Sequence, residues 1–213
     1  MDEEYAAYFS DMLDTCIENG VEPMVCLEHY ELPTYLLDKY NGWSSRHVVD
    51  LFVKYALKAF ERFGDRVKYW FAFNEPIVIQ TRSYLDAVRW LIIRILPCGC
   101  NGIIIKHWLR QRLWMPIKKS GYKRPECKFG SIINVETVYP RSDSKGDCDA
   151  ADMYDLFYNR VFLDPALKGE YQEGFFELLK KHGIEVEHTA EELALIKENT
   201  LIGLELICII QIG

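Results

Sequence analysis

Apolar positions along this chain recur with two periods, one near 3.6 residues and one of short unbroken runs, and the two alternate. Tyr5, Tyr8, Phe9, Met12, Leu13 and Ile17 fall on one side of a first helix that Asn19-Gly20 closes. Val21 to Leu27 is a short apolar run and predicts a strand. From Ser44 to Phe63 the apolar residues Val48, Leu51, Phe52, Tyr55, Ala59, Phe60 and Phe63 keep helical spacing, with serines at the start and Gly64 at the end. The run Val67-Lys68-Tyr69-Trp70-Phe71-Ala72 follows, apolar on both faces, as an inner strand of a parallel sheet should be. It closes on Phe73-Asn74-Glu75-Pro76, where the proline ends the hydrogen-bond ladder. These segments make one strand-helix-strand unit, and the right-handed crossover rule predicts that both strand ends reach the same rim.

The same alternation returns later. Lys128 to Val135 reads as a strand, flanked by Ala150 to Phe162 as a helix with Met153, Leu156, Phe157 and Val161 on one face. Glu173 to Lys181 predicts another helix, stopped at Gly183, and Thr189 to Lys197 a third, opened by a Thr189/Glu192 capping box. The fold class predicted is α/β. Leu201 to Ile212 is apolar but twelve residues long with Glu205 inside, too short for a membrane span and suited to a strand or an aggregation-prone edge.

Charge changes this picture in one place. The chain carries a net charge of −7, which argues against nucleic-acid or anionic-membrane partners. From Ile77 to Ser120, however, Asp86 is the one acid against eight bases, and neither period is sustained. A basic interaction segment is one reading, and a loss of the reading frame is another. The seven cysteines are odd in number and scattered, which fits reduced thiols and neither a disulfide framework nor a zinc site; no metal and no cofactor are expected. Met1-Asp2-Glu3-Glu4 has no basic start followed by an apolar stretch, so no signal peptide is expected and the predicted location is cytoplasmic.

Two residues carry the candidate chemistry. Glu75 sits where a strand ends, the face of α/β barrels on which catalysis takes place, and a carboxylic acid there can donate a proton. On its own the tetrapeptide is equally consistent with the start of a loop. His29 follows the earlier strand, and alone it would more often be structural. Together on one rim, a histidine and an Asn-Glu pair suit a polar site for a sugar.

The motifs His29-Tyr30-Glu31-Leu32-Pro33, Tyr40-Asn41-Gly42-Trp43, Phe63-Gly64-Asp65-Arg66-Val67-Lys68 and Phe73-Asn74-Glu75-Pro76, in that order, resemble glycoside hydrolase family one. The stretches Asn134 through Tyr139-Pro140-Arg141-Ser142 and Phe162-Leu163-Asp164-Pro165-Ala166-Leu167-Lys168-Gly169-Glu170-Tyr171 look like its bacterial 6-phospho-β-glucosidase branch. The resemblance implies an incomplete (β/α)8 TIM barrel running from the family's second helix to its sixth strand, because a whole barrel takes about 250 residues. It implies a single partial barrel domain over 1–213 in which 77–120 and 201–213 depart from the family pattern, as compensating frameshifts would produce.

By the same resemblance Glu75 is the general acid/base, Asn74 holds the sugar 2-hydroxyl and His29 a glycone hydroxyl. Tyr30, inside the His29 motif, and Asn134, at the end of its strand, are further substrate-binding candidates, although a strand-end asparagine is as often a turn former. A retaining glycosidase also needs a second carboxylate, roughly 5 Å from the first, as nucleophile. The family carries it in a Glu-Asn-Gly motif after a late strand. Glu198-Asn199-Thr200 follows a helix instead and reads as its end. The function the resemblance implies is therefore that of a retaining β-glycoside hydrolase acting on a β-glucoside, with a 6-phospho-β-glucosidase as the favoured form, and with this chain inactive alone for want of a nucleophile. A carbohydrate-binding remnant without turnover and the product of a damaged gene are the alternatives.

Overall fold

The computed structural model describes residues 2–76, 126–186, 188–198, 200 and, as backbone, 206–210. The basic stretch 77–120 and most of the apolar tail from 201 lie outside the described residues. Four strands form one sheet in the order β1 (Met24–Cys26), β2 (Tyr69–Asn74), β3 (Lys128–Val135) and β4 (Leu206–Ile210). The predicted α/β class is thus observed, and the strands lie side by side in chain order. The chain divides into two compact units: one holds residues up to Asn74 and the first half of β3 through Ser131, the other starts at Glu75 and takes the chain up again from Ile132.

In the first unit α1 (Glu3–Glu18) starts at Asp2, whose side chain accepts from the Tyr5 amide, and Gly20 turns the chain out of it at φ 74°. Its apolar stripe is wider than the face it buries. Ala6 and Leu13 are buried, whereas Tyr5, Tyr8 and Met12 are exposed. At 100° per residue those three lie roughly 100° or more round the helix from Ala6. The inward face meets α3 (Arg46–Phe63) through Phe9 and Phe63, ring centroids 5.1 Å apart. Arg66 adds a bond to Asp14 at 2.9 Å and one to the Ser10 hydroxyl at 2.6 Å.

Between β1 and α3 lies a short helix that the apolar spacing does not show, α2 (Thr34–Tyr40), opened at Pro33. Its residues include none that is buried, so it has no stripe to read. Asn41, at φ 60°, ends it, and a 3-10 turn, Gly42–Ser44, inserts Trp43 into the core against Phe52 and Phe73 at 5.2 and 5.3 Å. Gly64 does follow α3, but at φ −68°, so its freedom to take a positive φ is not used there.

β1 and β2 are parallel, with Met24, Val25 and Cys26 opposite Tyr69, Trp70 and Phe71. Every residue of β2 from Trp70 to Asn74 is buried, which is the both-faces burial predicted for an inner strand. Phe60 of α3 packs edge-on against Trp70 at 4.7 Å and against Phe129 of β3 at 5.8 Å, which fixes the crossover helix on the sheet.

In the second unit β3 leads to a helix that begins earlier than the apolar spacing predicts. Ser144 caps α4 (Lys145–Asp155), the ladder widens into a π turn at Leu156–Arg160, and α5 (Val161–Leu167) continues it. The turn explains a second difference: Met153, expected on the buried face, is exposed, because the face is rebuilt after Leu156 around Val161, Phe162 and Ala166. Phe175 and Leu179 of α6 (Phe175–Lys181) and Ile133 of β3 complete that core. Gly183 ends α6 at φ 73°, and α7 (Ala190–Glu198) starts with the predicted capping box: the Glu192 amide donates to Thr189 Oγ1 at 3.2 Å and the Thr189 amide to Glu192 Oε2 at 2.9 Å.

Candidate active site

Parallel pairing of β1 and β2 brings distant residues of the first unit together. The ladder continues past Cys26, with the Leu27 amide donating to the Phe71 carbonyl at 2.8 Å and the Asn74 amide to the Glu28 carbonyl at 2.9 Å. Both strands therefore end at the same level. There the Asn74 side chain, 6% exposed, donates to the Tyr30 hydroxyl at 3.0 Å. Tyr30 takes φ 75°, a conformation that side chains rarely adopt, and its amide donates to the Glu28 carboxylate at 3.1 Å. His29 is exposed, with its ring edge-on to Tyr30 at 5.2 Å and its amide held by Glu31 at 3.0 Å. An amide, a phenol and an imidazole gathered at two strand ends offer donors and acceptors to a ligand rich in hydroxyls.

Glu75 follows Asn74 directly and belongs to the second unit. It is half-buried, precedes Pro76 and takes φ 38°. Its amide donates to the Ile132 carbonyl of β3 at 2.9 Å. Two residues further along β3, Asn134 is 6% exposed. Its Nδ2 reaches the Tyr158 hydroxyl at 3.5 Å, and its Oδ1 is buried without a hydrogen-bond partner among the described residues.

Around Asn134 the structure adds groups that the sequence did not single out. Asn159, on the π turn, clamps the Glu136 backbone from both sides: its Oδ1 accepts from the Glu136 amide at 3.0 Å and its Nδ2 donates to the Glu136 carbonyl at 2.7 Å. The Glu136 carboxylate accepts from the Tyr154 hydroxyl at 2.7 Å, and the rings of Tyr154 and Tyr158 stack 5.3 Å apart at 12°. Burial first, and then the bond to Glu136, push the Tyr154 phenol up to about 12. The same causes, with a smaller part from the negative charge of Glu75, raise Tyr158. The i, i+4 spacing of Tyr154 and Tyr158 was the legible signal; the bulged turn that presents them was not.

Two triplets bear on the second carboxylate. Glu198 is the last residue of α7 and not a strand end. Glu18-Asn19-Gly20 has the letters of the family motif, but it terminates α1, with the Asn19 side chain and backbone amide bonded to Thr15 and Gly20 at positive φ. Among the described residues no group of three or more His, Cys, Asp or Glu side chains is placed to hold a metal ion, and no helix is long and apolar enough to cross a membrane.

Residues 1–206 match the family model for Glycosyl hydrolase family 1. A 6-phospho-beta-glucosidase of Bacillus subtilis (strain 168) is 34% identical over 205 residues, covering 94% of this chain and 42% of the relative. Beta-glucosidase A of Acetivibrio thermocellus is 30% identical over 191 residues, 90% of this chain and 42% of that protein. The fold superposes on a family 1 β-glucosidase from Thermotoga maritima with a TM-score of 0.80 at 26% identity, over 94% of this chain and 44% of the other. It superposes on a β-glucosidase from Exiguobacterium marinum with a TM-score of 0.85 at 24% identity, over 99% of this chain and 47% of the other. This chain thus spans less than half the length of the relatives it matches, and its sheet and helices are part of their α/β barrel. Sequence and fold agree that the chain belongs to glycosyl hydrolase family 1.

Proposed function

We propose that this chain carries the acid/base half of a retaining β-glycosidase site, with a β-glucoside as substrate. The observation that carries this reading is the position of Glu75, one residue beyond the end of β2 and next to the buried Asn74. Glu75 in its acid form donates a proton to the glycosidic oxygen as the bond to the anomeric carbon breaks; as carboxylate it later takes a proton from water. Asn74, held by Tyr30, hydrogen-bonds the sugar 2-hydroxyl, and His29 a further glycone hydroxyl. Asn134 presents a buried carbonyl oxygen to a donor group of the ligand. A 6-phosphate on the sugar is supported by the name of the Bacillus subtilis relative.

Binding without turnover is a second reading of this chain alone, favoured by both candidate nucleophile triplets standing at helix ends. Without an attacking carboxylate no glycosyl-enzyme forms. The two readings agree on binding and differ on hydrolysis. Titration calorimetry with methyl β-glucoside and its 6-phosphate should give binding that Asn74→Ala and His29→Ala each weaken about tenfold, the effect of one lost hydrogen bond to a polar ligand. Unchanged affinity in both variants refutes the site. The nitrophenyl β-glucosides should release no product, and turnover near 1 per second, an ordinary enzyme rate, would show that a nucleophile is present after all.

A further inference from the structure

Glu28 is a buried acid that the proton-transfer chemistry leaves unused. It stands just past β1 and is 4% exposed, and burying a carboxyl group is costly unless its oxygens accept hydrogen bonds. Its Oε1 accepts from the Tyr30 amide at 3.1 Å. Its backbone carbonyl accepts from the Asn74 amide at 2.9 Å and from the Cys26 thiol at 3.2 Å. One residue therefore grips both partners of the Asn74–Tyr30 bond, the strand end through its main chain and the turn through its side chain. His29, between Glu28 and Tyr30, gives its amide to Glu31 instead.

Tyr30 needs that grip. Its φ of 75° is disfavoured for a residue with a side chain, and the residue is 43% exposed, so packing of the ring does little to hold the turn. Its hydroxyl accepts from Asn74 Nδ2 at 3.0 Å and so sets how that amide is turned. We propose that Glu28 is a positioning residue for recognition of the sugar 2-hydroxyl: its side chain locks the Tyr30 turn, Tyr30 orients the Asn74 amide, and Asn74 meets the sugar. Touching no ligand itself, Glu28 governs the preference for a 2-hydroxy over a 2-deoxy sugar. The inference rests on the reading of Asn74 as the 2-hydroxyl contact.

Calorimetry of the whole chain with methyl β-glucoside and methyl 2-deoxy-β-glucoside, each also as the 6-phosphate, tests it through the ratio of the two affinities. The parent should favour the 2-hydroxyl about tenfold, the effect of one hydrogen bond to a polar ligand. Glu28→Met, close in volume but without the acceptor oxygens, should lower that preference to about twofold or less while the 2-deoxy sugar binds as before; a merely structural loss would weaken both sugars alike. Glu28→Gln, which keeps an acceptor oxygen, should retain most of the preference. Tyr30→Phe changes a half-exposed ring and should lower the preference as far as Glu28→Met, so the relay stays testable even if the buried variant unfolds. The proposal falls if Glu28→Met or Tyr30→Phe keeps the tenfold preference, if Glu28→Met weakens both sugars equally, or if Glu28→Gln loses the preference as fully as Glu28→Met. A parent without the preference, or an Asn74→Ala chain that keeps it, overturns the reading of Asn74 itself and the proposal with it.

Discussion

Gly169 shows how little room a single position has. Its φ is +77°, and a Cβ there would stand 2.8 Å from the Lys197 Cα, a backbone atom that cannot move aside cheaply. Gly169→Ala should destabilise the fold by about 2–4 kcal/mol, read as a lower denaturant midpoint with an unchanged slope. Tyr154 predicts a pH effect of definite sign. Its phenol, at 10.0 when free, is pushed to about 12 in the folded chain, so the unfolded chain loses the proton first as pH rises. Stability should be insensitive to this group below pH 10 and should fall between 10 and about 12. Denaturation midpoints at several alkaline pH values should show a shallower fall for Tyr154→Phe. Residues like these were half legible. Glu75 and His29 declare themselves by the strands they end, but the Asn74–Tyr30 bond joins positions 44 residues apart and exists only because two strands pair in one register.

Elements were most legible where their ends carry local chemistry. The Thr189/Glu192 box was readable because both of its bonds lie within four residues. Thr189→Ala should cost about 1 kcal/mol, and Thr189→Ser much less, measured by thermal melting. β3 was readable because its run, Lys128–Val135, has clear limits. α2 was missed because a seven-residue helix with no buried side chain leaves no periodic trace. The π turn was missed for the opposite reason. The apolar residues around it are regular enough to suggest one continuous face, but the widened turn at Leu156–Arg160 puts Met153 outside and Val161 inside.

For the molecule as a whole, the sequence motifs carried the family and the α/β class, because strand ends and their capping residues are fixed by short stretches. They did not carry the bonds around Glu136, which need the helix to be folded first. One feature of the site also bears on the balance between endurance and chemistry. Glu75 holds a φ of 38° before a proline, where a residue with a side chain is disfavoured by about 1–2 kcal/mol. A glycine would sit there without that cost, so Glu75→Gly should raise the denaturant midpoint by roughly 1 kcal/mol equivalent, while Glu75→Gln should leave it near the parent. A more stable Glu75→Gly chain would mean that the carboxylate is kept against the interest of the fold, so that selection for heat resistance alone would remove the residue proposed as the acid/base.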